Sequence, residues 1–533
     1  MIADGSDCFS GSIEAIEVAS RTAHPLAIPP RKREIAIHEM AMKTICVAVA
    51  ALLGFVGAAR SDQSSAIRRQ TMELRKQHKV LAQRLRQLEL QNTLREKRSE
   101  PEPALVPVAQ PTFQALVADG PLTWRGITFY GSVDAGVAWQ SHGAPFNGFY
   151  PQGLQYRVSK NSNRAGFAFA PNALSYSNLG LKGAESIASD LAVIFDMNTR
   201  FNPGSGMIAN GPGSLAKNNG VALASQSSRG DSAFAGQALN NFVYIGLSSR
   251  TFGALTVGRQ KSLIADNASA YDPMDSAPAF SVIAGSFSGG GNTENSRLDN
   301  VLKYRLGFGQ ARFAALYQMG AGPASQGAYQ FSLGGDVGSL SFDTTFSHVS
   351  GSVSASSLSA AQVAIEPAGS LSGTISDNTG IMFAARYTYD RFKFFGGYAS
   401  AQYADPHTPI APGFSGLGGY EISITNNTAF QYHNRVRQVL WTGVKYAYDD
   451  HIELAAAFYH ALQNSYGKNG CNTTESHTCS GTLDAVSGLI VYHASTKFDA
   501  YGGLMYSTVA NGSASGYLYH NSVDPTVGVR YLF

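Results

Sequence analysis

The sequence has few charged residues and, in its main part, no long apolar segment. Asp, Glu, Lys and Arg make up 14% of the 533 residues, against roughly 25% in soluble globular proteins. Past residue 60, no run reaches the roughly 18 apolar residues that a transmembrane helix needs. A bundle of membrane-spanning helices is therefore excluded. A membrane β-barrel is not excluded, because its strands only alternate between apolar and polar residues and the mean hydropathy stays near neutral.

The sequence also lacks the common signatures of enzymes. It contains no P-loop, no His-Glu-x-x-His and no Gly-x-Ser-x-Gly motif. Its histidines lie among Ser and Tyr without forming an evident catalytic pair. We therefore expect no enzymatic activity, no cofactor and no metal site. The net charge is only +3 and no base-reading motif accompanies the basic residues, so we also expect no nucleic-acid partner.

Cysteine is scarce, with four residues in the whole chain. Cys471 and Cys479 flank a short polar loop, and such a pair in an exported protein favours a disulfide. Two free thiols are the alternative. A metal site would need more ligands than the nearby His477 supplies. Cys8 and Cys46 fall in segments that we expect to be absent from the mature protein.

The first 123 residues divide into four segments. Residues 1–39 show no sustained period and stay unassigned, as an extension upstream of a start at Met40 or Met42. Residues 40–59 have the basic, apolar and small-residue regions of a signal peptide. Residues 60–98 repeat Leu or Ile every seven residues, which predicts a coiled-coil helix, with a solvated basic helix as the alternative. Residues 99–123 form a Pro-rich, extended linker.

From Trp124 onward the period changes to two. Ile381, Phe383 and Tyr387, for example, alternate with Met382, Ala384 and Arg386. Very short connections such as 389–392 alternate with long ones at about 202–236, 262–296, 349–378 and 402–430. A soluble β-sandwich or propeller could hide the apolar face in a core. Aromatic residues at the strand ends and the alternation of loop lengths favour a membrane barrel over 124–533, with about 16 antiparallel strands.

Five segments carry a resemblance to a known family. They are 130–137, 178–185, 252–260, 297–304 and the C-terminal Tyr531-Leu-Phe533. In this order they resemble the trimeric general porins of Gram-negative bacteria. The resemblance implies an outer-membrane location, a homotrimer in contact with lipid and lipopolysaccharide, and an insertion signal at Tyr531 and Phe533 that the barrel-assembly machinery reads. The predicted coiled coil is similar to that of some sugar- and phosphate-selective porins, and its basic surface would permit binding to peptidoglycan.

The resemblance also implies a pore constriction. In the family, the long loop that corresponds to 262–296 folds into the barrel, and its carboxylates face basic side chains on the wall. Asp275 matches a family acidic position, whereas Ala279 stands where many relatives have a second carboxylate. Asn178 and Asn241 stand where relatives often have Arg. The constriction residues expected here are Asp272, Asp275, Lys182, Arg297, Asn178, Lys303 and Arg305, and the further lumen charges are Arg386, Arg435 and Arg437.

Three functions follow as expectations. The first is passive diffusion of small hydrophilic solutes and ions with weak ion selectivity, because the constriction is less charged than in relatives. The second is a substrate-specific porin for a sugar or for an anion such as phosphate. The third belongs to another class, a soluble or surface β-rich binding protein. Asp272 and Asp275 could also be ordinary solvated loop acids, and the wall charges could lack any selective role.

Overall fold

The computed structural model describes residues 122–143, 156–160, 162–208, 213–226, 237–283, 296–320, 326–417, 419–469, 471 and 476–533. The expected extension 1–39, signal peptide 40–59, coiled coil 60–98 and nearly all of the linker 99–123 lie outside these residues. None of the helices within the described ranges is both long enough and apolar enough to cross a membrane.

Strands make up most of the regular structure within these ranges. They are β1 (Leu122–Trp124), β2 (Ile127–Gly143), β3 (Arg164–Pro171), β4 (Asn178–Ala188), β5 (Leu191–Arg200), β6 (Phe242–Ser249), β7 (Gly253–Lys261), β8 (Arg297–Phe308), β9 (Ala311–Gln318), β10 (Ala328–Val337), β11 (Leu340–Ser356), β12 (Leu371–Tyr389), β13 (Phe392–Ala404), β14 (Phe414–Leu417), β15 (Tyr420–Asn426), β16 (Arg435–Ala447), β17 (Ile452–Gln463), β18 (Gly481–His493), β19 (Phe498–Asn511) and β20 (Asn521–Leu532). The helices are α1 (Gly213–Lys217), α2 (Leu263–Ala270), α3 (Ala360–Val363) and the 3-10 turns Leu223–Ser225 and Gly512–Ala514.

The strands form one closed antiparallel barrel. β3 and β4 both pair with β2 and act as two halves of one barrel strand, while β1, β14 and β15 are short additions to the ring. The ring closes where β20 pairs with β2, from Ser132 opposite Leu532 to Ala138 opposite Thr526. The barrel therefore has 16 strands, as the alternating pattern predicts.

The barrel wall exposes its apolar face to the outside. On β12, Ile381 and Phe383 are 50% and 51% exposed, whereas Met382 and Ala384 between them are fully buried. The same alternation occurs along β17, β18 and β20. Such a continuous apolar surface would be costly in water, and lipid covers it in a membrane barrel. The inward face carries polar, charged and small side chains together with some large apolar ones, such as Met382 and Trp441.

Short and long connections lie at opposite ends of the barrel. At one end, β10 and β11 are joined by Gly338 and Ser339 alone, and Gly338 has the positive φ of 59° that such a tight hairpin needs. At the other end, β7 and β8 are joined by residues 262–296. The connection predicted at 349–378 is shorter than expected, because β11 and β12 extend to 17 and 19 residues and leave only 357–370 between them.

A strap formed by residues 213–220 joins two distant parts of the long-loop end. It belongs to the connection after β5, yet it contacts the connection between β11 and β12, six strands further around the ring. Asn219 Nδ2 donates to Ser370 O at 2.7 Å, and Asn219 Oδ1 accepts from Leu358 N at 2.7 Å. Leu215 packs on an apolar cluster that includes Leu371 and Ile422. The strap therefore docks on the loops opposite its own strands.

Candidate functional site

The connection 262–296 enters the barrel as helix α2. Ser262 caps the helix, since its side chain accepts a hydrogen bond from Ala265 N at 3.2 Å. Leu263 N donates to Gln330 Oε1 at 2.7 Å, and Asn267 Nδ2 donates to Ser332 Oγ at 2.8 Å. These wall residues lie on the inner face of β10. The helix is therefore fixed against the barrel wall by polar side chains that the inward face supplies.

Asp266 connects this helix to β8. Its carboxylate pairs with Lys303 at 2.6 Å and with Arg305. Burial alone would raise the pKa of Asp266, but the positive charges of Lys303, Arg305 and Lys261 outweigh burial and lower it. Lys303 and Arg305, both expected in the constriction, thus hold the loop to the wall, and Asp266 is a functional candidate that the sequence did not single out.

The segment after the helix turns sharply and anchors on β16 and β17. Trp441 Nε1 donates to Tyr271 O at 3.0 Å, and Tyr459 OH donates to Asp272 Oδ1 at 2.7 Å. Asp272 was expected to face the pore, but it is fully buried against the wall. Its Oδ2 also accepts from Ser276 N at 2.8 Å, so the carboxylate closes the turn. Burial raises the pKa of Asp272.

Asp275 and Phe280 continue the contact with the wall. Asp275 forms an ion pair with Lys445 of β16, and Lys445 also contacts Glu453 at 3.1 Å. The Phe280 ring meets the Tyr501 ring edge-on, with centroids 6.4 Å apart. A Cβ atom on Gly503 would come within 2.5 Å of the Phe280 ring, so glycine at this position permits the close approach of loop and wall.

A cavity of about 430 Å³ remains between the loop and the opposite part of the wall. Its lining has one acidic side chain, Asp275, and four basic ones from four different elements. Polar uncharged side chains complete much of the rest. The basic residues are Arg200, Lys261, Arg297 and Arg530, and the polar residues include Ser132, Asn178, Asn198, Asn241, Ser269 and Ser276.

Neighbouring groups fix the orientation of these basic side chains. The Arg200 guanidinium lies 3.9 Å above the centroid of the Tyr176 ring. Arg297 donates through Nε and Nη2 to Asn241 Oδ1 at 2.7 and 2.5 Å. Lys261 Nζ donates to Ser269 Oγ at 2.6 Å. These ring, amide and hydroxyl contacts do not remove the positive charges of Arg200, Arg297 and Lys261. The fourth basic residue, Arg530, forms an ion pair with Asp499 at 2.6 Å.

The structure brings together only some of the expected constriction residues. Asn178, Arg297 and Asp275 line the cavity. Lys182 does not; its Nζ lies 5.0 Å from the Tyr130 ring centroid, further along the inner face of β4. Ala279 is fully buried, and its N–H donates to Ala173 O at 3.0 Å. The basic lining residues that the sequence did not single out are Arg200, Lys261 and Arg530, although Arg200 and Arg530 lie at the alternate positions that carry the polar side chains of their strands.

The remaining expected sites lie away from the cavity. Arg386 faces inward near the short-turn end of β12, while Arg435 and Arg437 begin β16 at the long-loop end. Cys471 and Cys479 are joined through their sulfurs, with Cα atoms 4.8 Å apart. No group of His, Cys, Asp and Glu within the described ranges has the arrangement of a metal site.

The C-terminal residue takes part in closing the barrel. Phe533 N donates to Gly131 O at 3.1 Å, and Gly131 N donates to Phe533 O at 3.0 Å. The Phe533 ring lies 5.4 Å from that of Phe129 and 6.2 Å from that of Tyr531. The terminal aromatic residues, which we expect to act as the insertion signal, therefore also complete the pairing between the last and first barrel strands.

Comparisons with known proteins agree with this architecture. Residues 104–524 match a family model described as Gram-negative porin. No curated protein sequence matches the chain. An anion-selective porin from Comamonas acidovorans is 14% identical, with 76% of this chain and 99% of that chain covered and a TM-score of 0.50. OmpF of Salmonella typhi is 13% identical, with 76% and 97% covered and a TM-score of 0.43. At these identities the likeness concerns the fold.

Proposed function

Because this chain belongs to the Gram-negative porin family, and is thus an outer-membrane channel for passive diffusion, we propose that its channel prefers small anions. The constriction of this channel is the cavity between the 262–296 loop and the wall. This proposal goes further than the weak selectivity expected from the sequence. The reason for the change is the set of basic lining residues contributed by β5, β7, β8 and β20.

The observation that carries the proposal is the imbalance of charge in the cavity lining. Four basic side chains and one carboxylate line a space of about 430 Å³. Asp275, the one acid of the lining, pairs with Lys445. Arg530 pairs with Asp499, so the imbalance comes from Arg200, Lys261 and Arg297. A narrow, low-dielectric lumen with charges of one sign raises the local concentration of counter-ions and excludes ions of the same sign. The lining therefore favours passage of anions over cations.

The neighbour from Comamonas acidovorans is described as anion-selective, which agrees with this proposal but at 14% identity adds only a shared fold. A sugar-specific channel is less well supported. Sugars bind to open aromatic faces along a lumen, and in the cavity the face of Tyr176 is covered by the Arg200 guanidinium.

We also propose a homotrimer, as the sequence resemblance implies. The barrel wall is uneven: β6 and β9 have eight residues each, fewer than the roughly 9–11 that span a bilayer, whereas β11 and β12 are much longer. A second copy packed against the part of the wall with short strands would cover the surface that a bilayer of normal thickness does not match. Light scattering of the detergent-solubilised protein should give the mass of three chains, and a monomer mass in several mild detergents would contradict the trimer.

The ion preference can be tested in planar bilayers. With a KCl gradient across the membrane, the sign of the reversal potential should show that chloride crosses more readily than potassium. Lys261→Gln and Arg200→Gln should each move the reversal potential towards zero. Arg386→Gln is the matched control, because Arg386 also faces inward but lies outside the cavity lining. A cation-preferring wild-type channel would overturn the proposal.

A further inference from the structure

A second group of basic side chains lies at the long-loop end of the lumen. Arg435 and Arg437 belong to β16, and Arg157 and Lys160 belong to the connection between β2 and β3. We call these four residues the vestibule cluster. None of them lines the constriction cavity. Since long loops of membrane barrels face the outside of the cell, the vestibule cluster lies on the extracellular side of the constriction.

Arg435 is the best-defined member of the vestibule cluster. Its Nε donates to Gln463 Oε1 at 2.9 Å. Its guanidinium lies 5.4 Å from the centroid of the Tyr403 ring and 6.0 Å from that of Tyr466. Within the described ranges it forms no ion pair with a carboxylate. Rings and an amide therefore hold the guanidinium in place without neutralising it.

The other members lie close enough to act on each other electrostatically. Partial burial and then the positive charge of Arg435 lower the pKa of Lys160. Arg437 lies two residues after Arg435 on the same strand face, and the charges of Arg435 and Arg157 both act on it. Like charges gathered in a partly desolvated space repel each other. An anion between them would relieve this repulsion.

A structural role would place carboxylates beside these basic groups. That arrangement occurs elsewhere on the inner wall, where Arg530 pairs with Asp499 at 2.6 Å and Arg312 pairs with Asp343 at 3.0 Å. Lys160, like Arg435, forms no ion pair with a carboxylate within the described ranges. Arg435 and Lys160 thus differ from the wall pairs in the feature that distinguishes a binding site from a structural contact.

We propose that the vestibule cluster binds small oxyanions, such as carboxylates and inorganic phosphate, before they reach the constriction. Guanidinium groups offer paired N–H donors that match the oxygens of a carboxylate or phosphate better than they match a halide. With the vestibule cluster and the constriction lining in series, one anion can be bound at the first site while another leaves the second. This inference rests on the proposed anion preference and adds a second site and a class of solute to it.

The test measures how inorganic phosphate blocks the chloride current through the full-length protein in planar bilayers. In the wild type, phosphate should reduce the chloride current in a saturable manner, and acetate should do so less strongly because it carries a single charge. In the double variant Arg435→Gln with Lys160→Gln, the half-blocking phosphate concentration should rise about tenfold, as expected for the loss of charge-assisted hydrogen bonds. The reversal potential in a KCl gradient should change much less, since the constriction lining is intact.

Two further variants make the outcome decisive. Arg386→Gln removes an inward-facing charge that lies outside both the vestibule cluster and the constriction lining. It should leave the block by phosphate as in the wild type. Arg435→Lys keeps the charge but not the fork of donors, so it should give an intermediate block and show that the site folds. An unchanged block in the double variant would overturn the vestibule site, as would a block lost only in Lys261→Gln. A cation-preferring wild type would instead contradict the proposed function itself.

Discussion

The hydroxyl of Tyr459, on β17, donates to Oδ1 of Asp272, in the constriction loop, at 2.7 Å, and both side chains are fully buried. This bond joins two residues that are far apart in the sequence and fixes the loop to the side of the barrel opposite the basic lining. The loop is therefore part of the packed interior of the barrel. Its position, and with it the width of the cavity, depends on wall residues that no solute touches.

Replacing Tyr459 with Phe should loosen the loop. The buried carboxylate would lose a donor without gaining water, at a cost of about 1–3 kcal/mol. We expect a lower midpoint of thermal unfolding in detergent and larger fluctuations of the single-channel current. Tyr398→Phe is the matched control, because Tyr398 is 39% exposed on the outer face of the barrel. Equal current noise in the two variants would show that this bond does not hold the loop.

Asp272 should make the stability of the protein depend on pH. Burial raises its pKa above the ordinary value of 3.8, so the folded state binds a proton more readily than the unfolded chain. Stability contributed by this group is therefore present below 3.8 and is lost as the pH rises through the higher folded pKa. Asp272→Asn should remove this dependence while it keeps the acceptor for Tyr459. Unfolding midpoints measured across the acidic range would check it; an unchanged pH profile would refute it.

Asp275→Asn should increase the preference for anions. Asp275 is the one acidic side chain of the cavity lining, and its removal leaves Lys445 paired with Glu453 alone. The permeability ratio of chloride to potassium should rise by about twofold, because a single charge in a narrow lumen changes the local potential. The reversal potential in a KCl gradient provides the measurement. If this ratio stays the same, the Asp275 carboxylate does not act on permeating ions.

Removal of Phe533 should reduce the yield of assembled barrel. The residue supplies both the backbone hydrogen bonds with Gly131 and the ring contact with Phe129. Phe533→Ala keeps the backbone bonds and loses the ring, while Phe533→Tyr keeps both. The heat-resistant folded species in outer-membrane fractions should therefore decrease from Tyr to Ala to the deletion. Equal yields from all three would show that neither contact limits assembly.

Asn219→Ala should loosen the strap, which would still be held by the bonds from Gly220 N to Leu358 O and from Ser357 Oγ to Leu215 O. One side chain makes both of the hydrogen bonds to Ser370 O and Leu358 N, so a single substitution removes them together. Large hydrophilic solutes should then enter proteoliposomes faster in a swelling assay, while small solutes enter at the wild-type rate. Lys217→Ala, at an exposed position of α1, is the control. Unaltered entry of large solutes would mean that the strap does not limit access.

Much of the barrel could be predicted from local sequence patterns, because a period of two places alternate residues on opposite faces of a strand. The alternation of Ile381 with Met382, and the length of the 262–296 connection, are visible without a structure. The residues that line the cavity cannot be identified in this way. The cavity brings together Arg200, Lys261 and Arg530 because the strand register of the closed barrel places them at the same level along its axis. That register depends on pairings between strands that are distant in the sequence.

The orientation of the side chains in the 262–296 loop could not be predicted from the sequence either. Asp272 and Asp275 are three residues apart in the sequence, yet one is buried against the wall and the other lines the cavity. The difference arises from a turn with left-handed backbone at Asp275 and Ser276 and from the position of Tyr459 on β17. Sequence resemblance pointed to Asp275 as an acidic position of the loop, but a contact with a distant strand determines where Asp272 lies.

The strap also determines the shape of the surface that the long connections present outside the cell. Asn219, Ser370 and Ile422 come from three separate connections and hold them together, so the outer surfaces of these connections form one continuous patch. An antibody or a phage tail protein that binds this patch would recognise a conformational epitope, which no peptide from a single loop reproduces. Variation in any one of these loops would alter the fit of the other two, so changes that escape such recognition would have to occur in matched sets.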